Sequence, residues 1–293
     1  MKHPRLSDAA LAGAGVLWGA SFPLGKLALG HVGPGWLVIY RFVLGFAVLA
    51  PFVDWRALRL ERRDVLALVG TAFLVGPAMF LVQFEGLART TASSAALLVA
   101  TLPPMMALGG ALLDRERPSR LTLYGIAMAS VGVALMTGVP GPGRSLLGDA
   151  LVFISLIVSV AWTLTTRRIV WRLGALRVTV LQFLLGAAWM LPFALIREGS
   201  PPIGLSTSTA WIILALGVAC TAASFALWNW GLQHSEAARA GIFGNIEPVV
   251  GAAIGVLILG DVLGPWAVVG GLIAIAAATL VTIRPAPPRA TPA

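Results

Sequence analysis

Charged side chains within long apolar stretches are the residues of this chain with the clearest chemical potential. Arg41 interrupts one such stretch and Glu247 interrupts another. A charge at membrane depth is costly unless it is paired or hydrated, so each of these residues indicates a functional group. A guanidinium binds a carboxylate well, and a carboxylate can bind an ammonium group or carry a proton.

Both charges also have structural explanations. Arg41 could pair with Glu85, near the end of the next apolar stretch, or extend to the outer membrane interface. Glu247 could be held in an ion pair or a hydrogen bond that only stabilises a helix bundle. The residue types alone leave these alternatives open beside substrate binding.

Aromatic and neutral polar residues also lie deep in the apolar stretches. Aromatic walls suit amphipathic or cationic solutes, through apolar contact and cation–π attraction. The candidate walls are Trp18, Phe22, Phe80, Trp162 and Trp228. The candidate hydrogen-bonding residues are Ser21, Gln83, Thr163, Asn229 and Asn245. With Arg41 and Glu247, these residues form the predicted substrate-binding set.

Three prolines within apolar stretches are candidate hinges. Pro23, Pro103 and Pro248 each remove a backbone donor, which favours a kink in a helix. Kinked helices at membrane depth are tolerated where they line a cavity. Close helix packing is the alternative explanation for the Gly19 and Ala20 that precede Pro23.

Composition indicates the elements that must position these residues. The chain has 293 residues, of which 58% are apolar and only 11% charged, whereas soluble domains have about a quarter charged residues. Apolar runs of about twenty residues predict membrane-spanning helices. We place ten of them near 8–29, 34–53, 64–86, 91–112, 120–138, 147–168, 175–196, 209–231, 238–259 and 263–283. The first run is read as a retained helix rather than a signal peptide, and the short connections leave no room for a soluble domain.

Basic residues predict the orientation in the membrane. Alternate connections contain most of them, including Arg56, Arg59, Arg62, Arg63, Arg115, Arg117, Arg120, Arg167, Arg168, Arg172, Arg177 and Arg239. The opposite connections contain only Arg89, Arg144 and Arg197. Because cytoplasmic loops are enriched in Lys and Arg, both termini are predicted to be cytoplasmic.

An internal repeat divides the chain into two halves, residues 1–141 and 142–293. A shift of about 145 residues aligns Gly86 with Gly231 and Pro103 with Pro248, and a shift of about 141 aligns Phe42 with Phe183. Each half has five predicted spans, so the second half enters the membrane from the opposite side. Such inverted-topology repeats are frequent in secondary transporters, which bind substrate near the midplane between the halves.

Several other functions are excluded or disfavoured. The net charge of +9 is spread between the apolar runs rather than clustered, so no nucleic-acid partner is predicted. Cys220 is the single cysteine and the three histidines lie apart, so no metal site is predicted. Without an HExxH, GxSxG or GxxxxGK[ST] motif, we predict no catalytic residue, no enzyme activity and no cofactor.

The chain resembles the drug/metabolite transporter superfamily, in its ten-helix EamA-type branch. The resemblance rests on WGASFPLGK, on YRF, on GLARTTASSAALLVATLPPMMALGGALLDRERP and on GLQHSEAARAGIFGNIEPVVGAAIGVLILGD. The last segment has Asp261 where that family more usually has Glu. The resemblance implies an inner-membrane carrier that exports amino acids or related metabolites, and the deep aromatics suggest the aromatic amino acid exporters.

These observations predict an all-α membrane protein that exports neutral or aromatic amino acids by alternating access. In this hypothesis Arg41, or polar Asn and Gln side chains, binds the substrate carboxylate, and Glu247 binds the ammonium group or a coupling proton. The main alternative is an efflux carrier for drugs or other metabolites. A membrane-embedded enzyme or flippase and a passive channel are the remaining classes. Besides substrate and the lipid bilayer we predict no obligatory partner: the expected state is a monomer, with a dimer as the alternative.

Overall fold

The computed structural model describes residues 4–56, 58–113, 120–137, 143–234 and 243–283. Regular structure within these ranges is helical. In the first half the helices are α1 (Pro4–Leu29), α2 (Pro34–Leu49), α3 (Arg62–Phe73, Leu74–Leu81 and Val82–Arg89), α4 (Ala92–Leu98, Val99–Thr101 and Leu102–Leu113) and α5 (Arg120–Thr137). In the second half they are α6 (Leu146–Leu173), α7 (Ala175–Glu198), α8 (Thr207–Gly217, Val218–Ala223 and Ser224–His234), α9 (Ile246–Leu259) and α10 (Pro265–Ile283).

Helix length and composition support a multi-pass membrane protein. Six described helical stretches are long and apolar enough to cross a bilayer: Pro34–Phe52, Arg62–Arg89, Ala92–Leu112, Leu146–Thr166, Ala175–Glu198 and Thr207–Gly231. Shorter apolar helices lie at Leu123–Met136, Ile246–Leu259 and Pro265–Leu280. The count of ten crossings stays a prediction. The chain ends, the predicted boundary at residues 141 and 142, and the start of the ninth stretch lie outside the described residues.

Local sequence accounts for where several helices begin and turn. The side chains of Thr91, Ser145 and Ser206 accept hydrogen bonds from backbone N–H groups in the first turns of α4, α6 and α8. These N-caps satisfy donors that a helix start leaves without a partner. Gly174 alone separates α6 from α7, and its φ of 86° is a conformation that favours glycine. The two helices can therefore reverse direction within one residue.

Two helices contain π-helical segments that the sequence analysis did not predict. They are Leu74–Leu81 in α3 and Val218–Ala223 in α8. The 145-residue shift that aligns the two halves brings these segments into overlap. Pi-helical turns occur frequently at functional sites, because the wider turn displaces side chains from their α-helical positions.

Two of the three candidate hinge prolines lie just after a change in helix geometry. In α4, the 3₁₀ segment Val99–Thr101 ends two residues before Pro103. In α9, Pro248 follows a turn at Asn245 that precedes the helix start. Both locations fit the clash between a proline ring and the carbonyl four residues earlier. Helix α1, in contrast, stays α-helical through Pro23.

Helices α2 and α7 cross through a reciprocal contact. A methyl group built at Gly45 would lie 3.0 Å from the ring of Phe183, and one built at Gly186 would lie 2.7 Å from the ring of Phe42. The two phenylalanine rings are 5.2 Å apart between centroids. Since the repeat aligns Gly45 with Gly186 and Phe42 with Phe183, each half contributes the same pair of residues to this crossing.

A second pair of contacts relates the halves in the same way. A methyl group at Gly86 of α3 would lie 2.7 Å from the carbonyl oxygen of Gly148 and 2.8 Å from the nitrogen of Val152 in α6. Its repeat equivalent, Gly231 of α8, would meet Leu11 of α1 at 2.6 Å. Leu11 and Val152 are themselves equivalent under the 141-residue shift. Small residues thus allow both close crossings.

We predict that Gly132→Ala destabilises the protein. The new methyl group would lie 2.7 Å from the carbonyl oxygen of Gly270 in α10, and overpacking against backbone costs about 1–3 kcal/mol. Thermal unfolding in detergent should therefore show a lower midpoint than the wild type. Gly70→Ala in α3 is the matched control, because nothing lies within 4 Å of that position. A Gly132→Ala midpoint at or above that of the wild type would contradict the tight α5–α10 crossing.

Candidate functional site

A cavity of about 440 Å³ lies between the two halves of the bundle. Volumes of this order are typical of small-molecule sites. Helices α1, α2, α3, α4, α6, α7, α8 and α9 all contribute side chains to its wall. The predicted residues that line it are Trp18, Ser21, Phe22, Arg41, Phe80, Gln83, Trp162, Thr163, Trp228, Asn229 and Glu247. The structure thus brings together residues that are up to 229 positions apart in the sequence.

Arg41 is a buried cation on the wall of this cavity, with only 2% of its surface exposed. Its Nε donates a hydrogen bond to Thr221 Oγ1 at 3.1 Å. Its guanidinium carbon lies 5.1 Å from the ring centroid of Phe80 and 5.2 Å from that of Phe84, which is within cation–π range. Among the described residues, Nη1 has no hydrogen-bond partner. A buried donor in this state can bind an anion that enters the cavity.

The alternative pairing of Arg41 with Glu85 is wrong. Glu85 instead forms an ion pair with Arg89 one turn along α3 and lies 4.0 Å from Arg197 at the end of α7. This arrangement draws the Glu85 carboxylate to the end of the bundle. The guanidinium is therefore left facing aromatic rings, a hydroxyl and the cavity.

Glu247 is an acidic residue on the cavity wall. It lies in the first turn of α9, where the helix dipole stabilises a negative charge. Across the described residues, none of the ion pairs involves Glu247. The cavity wall thus carries a basic and an acidic residue that do not form an ion pair with each other.

Aromatic rings form two groups around these charges. Trp18 contacts Trp228 and Phe225, with centroid distances of 5.1 and 5.5 Å. On the side of Arg41, Phe80 and Phe84 are stacked at 6.2 Å. The indole Nε1 of Trp162 is buried and has no hydrogen-bond partner among the described residues. The cavity therefore presents apolar surface together with spare hydrogen-bond donors.

One predicted binding residue lies outside the cavity wall. Asn245 donates a hydrogen bond from Nδ2 to Thr279 Oγ1 of α10 at 3.2 Å, and Thr279 in turn donates to the carbonyl of Ile275. This bond ties the turn before α9 to α10. The structure therefore gives Asn245 a packing contact rather than a place among the lining residues.

Several lining residues were not in the predicted set. They include Met79, Phe84, Met106, Thr166, Thr179 and Phe225. Phe84 could have been inferred from Phe80, because residues four apart share a helix face. Thr221, which holds Arg41, had no distinguishing signal in the sequence.

The two ends of the cavity differ. Val170, Ala175 and Thr179 line it near the junction of α6 and α7. At the other end, Lys26 Nζ donates to the carbonyls of Leu87 at 2.8 Å and Thr90 at 2.6 Å. A network of polar contacts therefore fastens α1 to the end of α3.

The same network reaches α6. Thr90 Oγ1 donates to Asp149 Oδ1 at 2.6 Å, and Asp149 forms a buried ion pair with Arg144 at 2.7 Å. A buried ion pair that is also hydrogen-bonded is costly to break. This network therefore fastens α1, α3 and α6 together at this end of the bundle.

A helical membrane bundle with a polar and aromatic cavity between its halves has the architecture of a membrane transporter. The sequence pattern of the EamA-like transporter family matches residues 5–138 and again residues 146–283. The chain belongs to this family, within the drug/metabolite transporter superfamily. Its relatives are transporters rather than enzymes.

Similar curated proteins match over nearly the full chain. An uncharacterised transporter of Archaeoglobus fulgidus is 24% identical over 280 residues, which cover 92% of this chain and 94% of the relative. A probable terminal-alkyne amino-acid exporter of Streptantibioticus cattleyicolor is 24% identical over 273 residues, covering 92% and 91%. A solved crystal structure has a TM-score of 0.67 at 18% identity and covers 94% of this chain and 95% of the other. That likeness shows a shared fold.

We predict that Asn245→Ala lowers stability without changing substrate affinity. It removes a hydrogen bond that contributes about 1 kcal/mol, and Asn245 does not line the cavity. Unfolding in detergent and substrate KM in proteoliposomes provide the two readouts. Thr279→Val removes the other partner, so the double variant should cost less than the sum of the single variants. A raised KM in Asn245→Ala would return this residue to the binding site.

Proposed function

We propose that this protein is a secondary transporter that exports neutral and aromatic amino acids across the cell inner membrane by alternating access. The observation that carries the proposal is the aromatic cavity with Arg41 and Glu247 on its wall. A zwitterion has one carboxylate and one ammonium group, so Arg41 and Glu247 each gain a partner on binding. The amino-acid exporter among the relatives adds support from similarity.

The main alternative is a carrier for lipophilic drugs or other metabolites of the same superfamily. Aromatic walls suit such compounds as well. Glu247 could bind the cationic group of such a drug, but Arg41 would then keep no anionic partner among the described residues. Because an unpaired charge is costly at low dielectric, a ligand that also carries a carboxylate suits this pair of residues better.

The proposed topology has ten spans in two inverted repeats, residues 1–141 and 142–293, with both termini cytoplasmic. The reciprocal α2–α7 contact supports it, since each half contributes the same glycine and phenylalanine to the crossing. The excess of arginine on alternate connections supports the orientation. In this orientation the α6–α7 end of the cavity faces the cytoplasm. The polar network of Lys26, Thr90 and Asp149 then closes the outer side.

The alternating-access cycle would exchange the open and closed ends of the cavity. The prolines at 103 and 248 follow irregular turns in equivalent helices, which supports their proposed role as hinges. The third proposed hinge, Pro23, lies beside the cavity-lining Phe22. We propose that the monomer is the transporting unit, because both halves of a single chain contribute residues to the cavity wall.

Counterflow in proteoliposomes tests the transport proposal. Vesicles that contain the purified protein are preloaded with unlabelled phenylalanine, methionine or threonine, and labelled substrate is added outside. We expect saturable accumulation that requires internal amino acid, because an exchanger returns one substrate for each that it releases. Protein-free vesicles are the control. If none of the amino acids is accumulated, the amino-acid proposal fails, and neutral drugs and other metabolites are tested in the same vesicles.

We predict that Glu247→Gln raises the KM for phenylalanine about tenfold, since a hydrogen bond to a charged group contributes about 1.5–3 kcal/mol. The KM for 3-phenylpropanoate, which lacks the ammonium group, should change little. The pair of substrates separates ammonium binding from a general defect. An equal rise for both would contradict ammonium binding. A pH profile of transport that is the same in both proteins would remove Glu247 from any proton coupling.

A further inference from the structure

Thr221 occupies an unusual place in the π-helical segment Val218–Ala223 of α8. Its Oγ1 donates a hydrogen bond to the carbonyl of Leu216, five residues earlier, at 2.8 Å. The same oxygen accepts the bond from Arg41 Nε. Because a hydroxyl has one donor and two acceptor sites, the bond to Leu216 directs a lone pair of Thr221 toward the guanidinium. The π-helical turn thus holds both partners in place.

This contact fixes one edge of the Arg41 guanidinium on the cavity wall. Nε is occupied by Thr221, and the guanidinium carbon lies over the rings of Phe80 and Phe84. The terminal amino group Nη1 remains without a partner among the described residues. A planar guanidinium fixed by one nitrogen presents its remaining donors in a defined direction. Arg41 is therefore oriented before any ligand arrives.

The equivalent position in the second half has a different chemistry. Gln182 aligns with Arg41 and also bonds across the halves, to Thr71 Oγ1 of α3 at 2.9 Å. Its second bond stays within its own half and goes to Thr166 Oγ1 of α6 at 3.2 Å. Both donors of this neutral amide nitrogen can be used in these two bonds. In the second half, both N–H groups of the Gln182 amide are therefore used. In the first half, Nη1 of Arg41 has no partner among the described residues.

We propose that Thr221 is a positioning residue that makes Arg41 a selective binding group for a carboxylate. This inference rests on the proposed function, in that the substrate carries a carboxylate. In this assignment the cavity distinguishes a carboxylate from the corresponding amide mainly through the orientation of Arg41. Loss of the Thr221 hydroxyl frees the guanidinium to turn, and the preference for a carboxylate then falls although the charge is retained.

Ligand binding to the full-length protein in detergent tests this without requiring transport. The probes are 3-phenylpropanoate and 3-phenylpropanamide, which differ only in the anionic group, and the affinity is measured by calorimetry. We expect the wild type to prefer the carboxylate. Thr221→Val, which keeps the side-chain shape, should weaken carboxylate binding about tenfold, the scale of one hydrogen bond to a charged group. Amide binding should stay within about twofold of the wild type.

Matched variants separate positioning from a structural role. Thr221→Ser restores the hydroxyl and should restore the preference for the carboxylate. Ser224→Ala removes another buried hydroxyl of α8, one that bonds only to the carbonyls of Cys220 and Thr221, and should leave the preference unchanged. Thr221→Ala is a second test of the missing hydroxyl if Thr221→Val is unstable.

Three results would overturn the proposal. They are a wild type with no preference for the carboxylate, an equal loss of both probes in Thr221→Val, and an unchanged preference in both Thr221→Val and Thr221→Ala. Failure of amino-acid counterflow would overturn the export proposal instead. Carboxylate-selective binding that depends on Thr221 would then still support the anion site.

Discussion

The burial of a guanidinium in the bilayer interior is the constraint around which this structure is arranged. A charge at this depth has a cost of several kcal/mol unless other groups replace its water. The protein replaces part of that hydration with two aromatic faces and one hydroxyl around Arg41. These three groups come from α3 and α8, and both helices depart from α-helical geometry next to them. The burial of Arg41 therefore links α2 and α3 of the first half to α8 of the second half.

Close helix crossings form the other part of the scaffold. In a bilayer, apolar side chains gain little by leaving lipid for protein, so association depends on tight packing of small residues. Glycines allow the close α2–α7, α3–α6 and α1–α8 crossings. The repeat relates the α3–α6 crossing to the α1–α8 crossing, and it relates the α2–α7 crossing to itself. These close crossings are thus equivalent in the two halves, whereas the charged residue Arg41 has a neutral equivalent. Because Gln182 stands opposite Arg41 in the repeat, Arg41 is the single cationic residue among the described residues that line the cavity.

The sequence predicted which residues meet at the cavity much better than it predicted how they are held. Arg41, Glu247 and the deep tryptophans are costly or bulky in lipid, so their types alone indicate an interior location. Asn245 follows the same logic, yet it bonds to Thr279 because the turn before α9 places it beside α10. A rotation of the helix by one residue position decides whether an amide side chain faces a cavity or a neighbouring helix. Composition does not determine that rotation.

The π-helical segments show a similar limit. Their appearance depends on a shift of backbone hydrogen bonds by one residue, and many sequences satisfy both the α and the π pattern. Pro77 in the first segment is compatible with a disturbed helix, but the second segment contains no proline. The role of Thr221 follows only from the combination of that backbone shift with Arg41. The internal repeat, in contrast, was visible because glycines and prolines recur wherever backbones approach or bend.

The presence of Arg41 in only one of the two halves constrains how a carrier built from this repeat can move its substrate. If the two halves exchange conformations, apolar walls from either half can substitute for each other, because aromatic residues line the cavity from both. The anion-binding group has no such substitute, since Gln182 is neutral and its donors are used. Under the proposed function, the substrate carboxylate would then stay near Arg41 in both the inward-open and the outward-open state. The helices that close each end would have to move around α2, which makes the α2–α7 crossing the natural axis of the exchange.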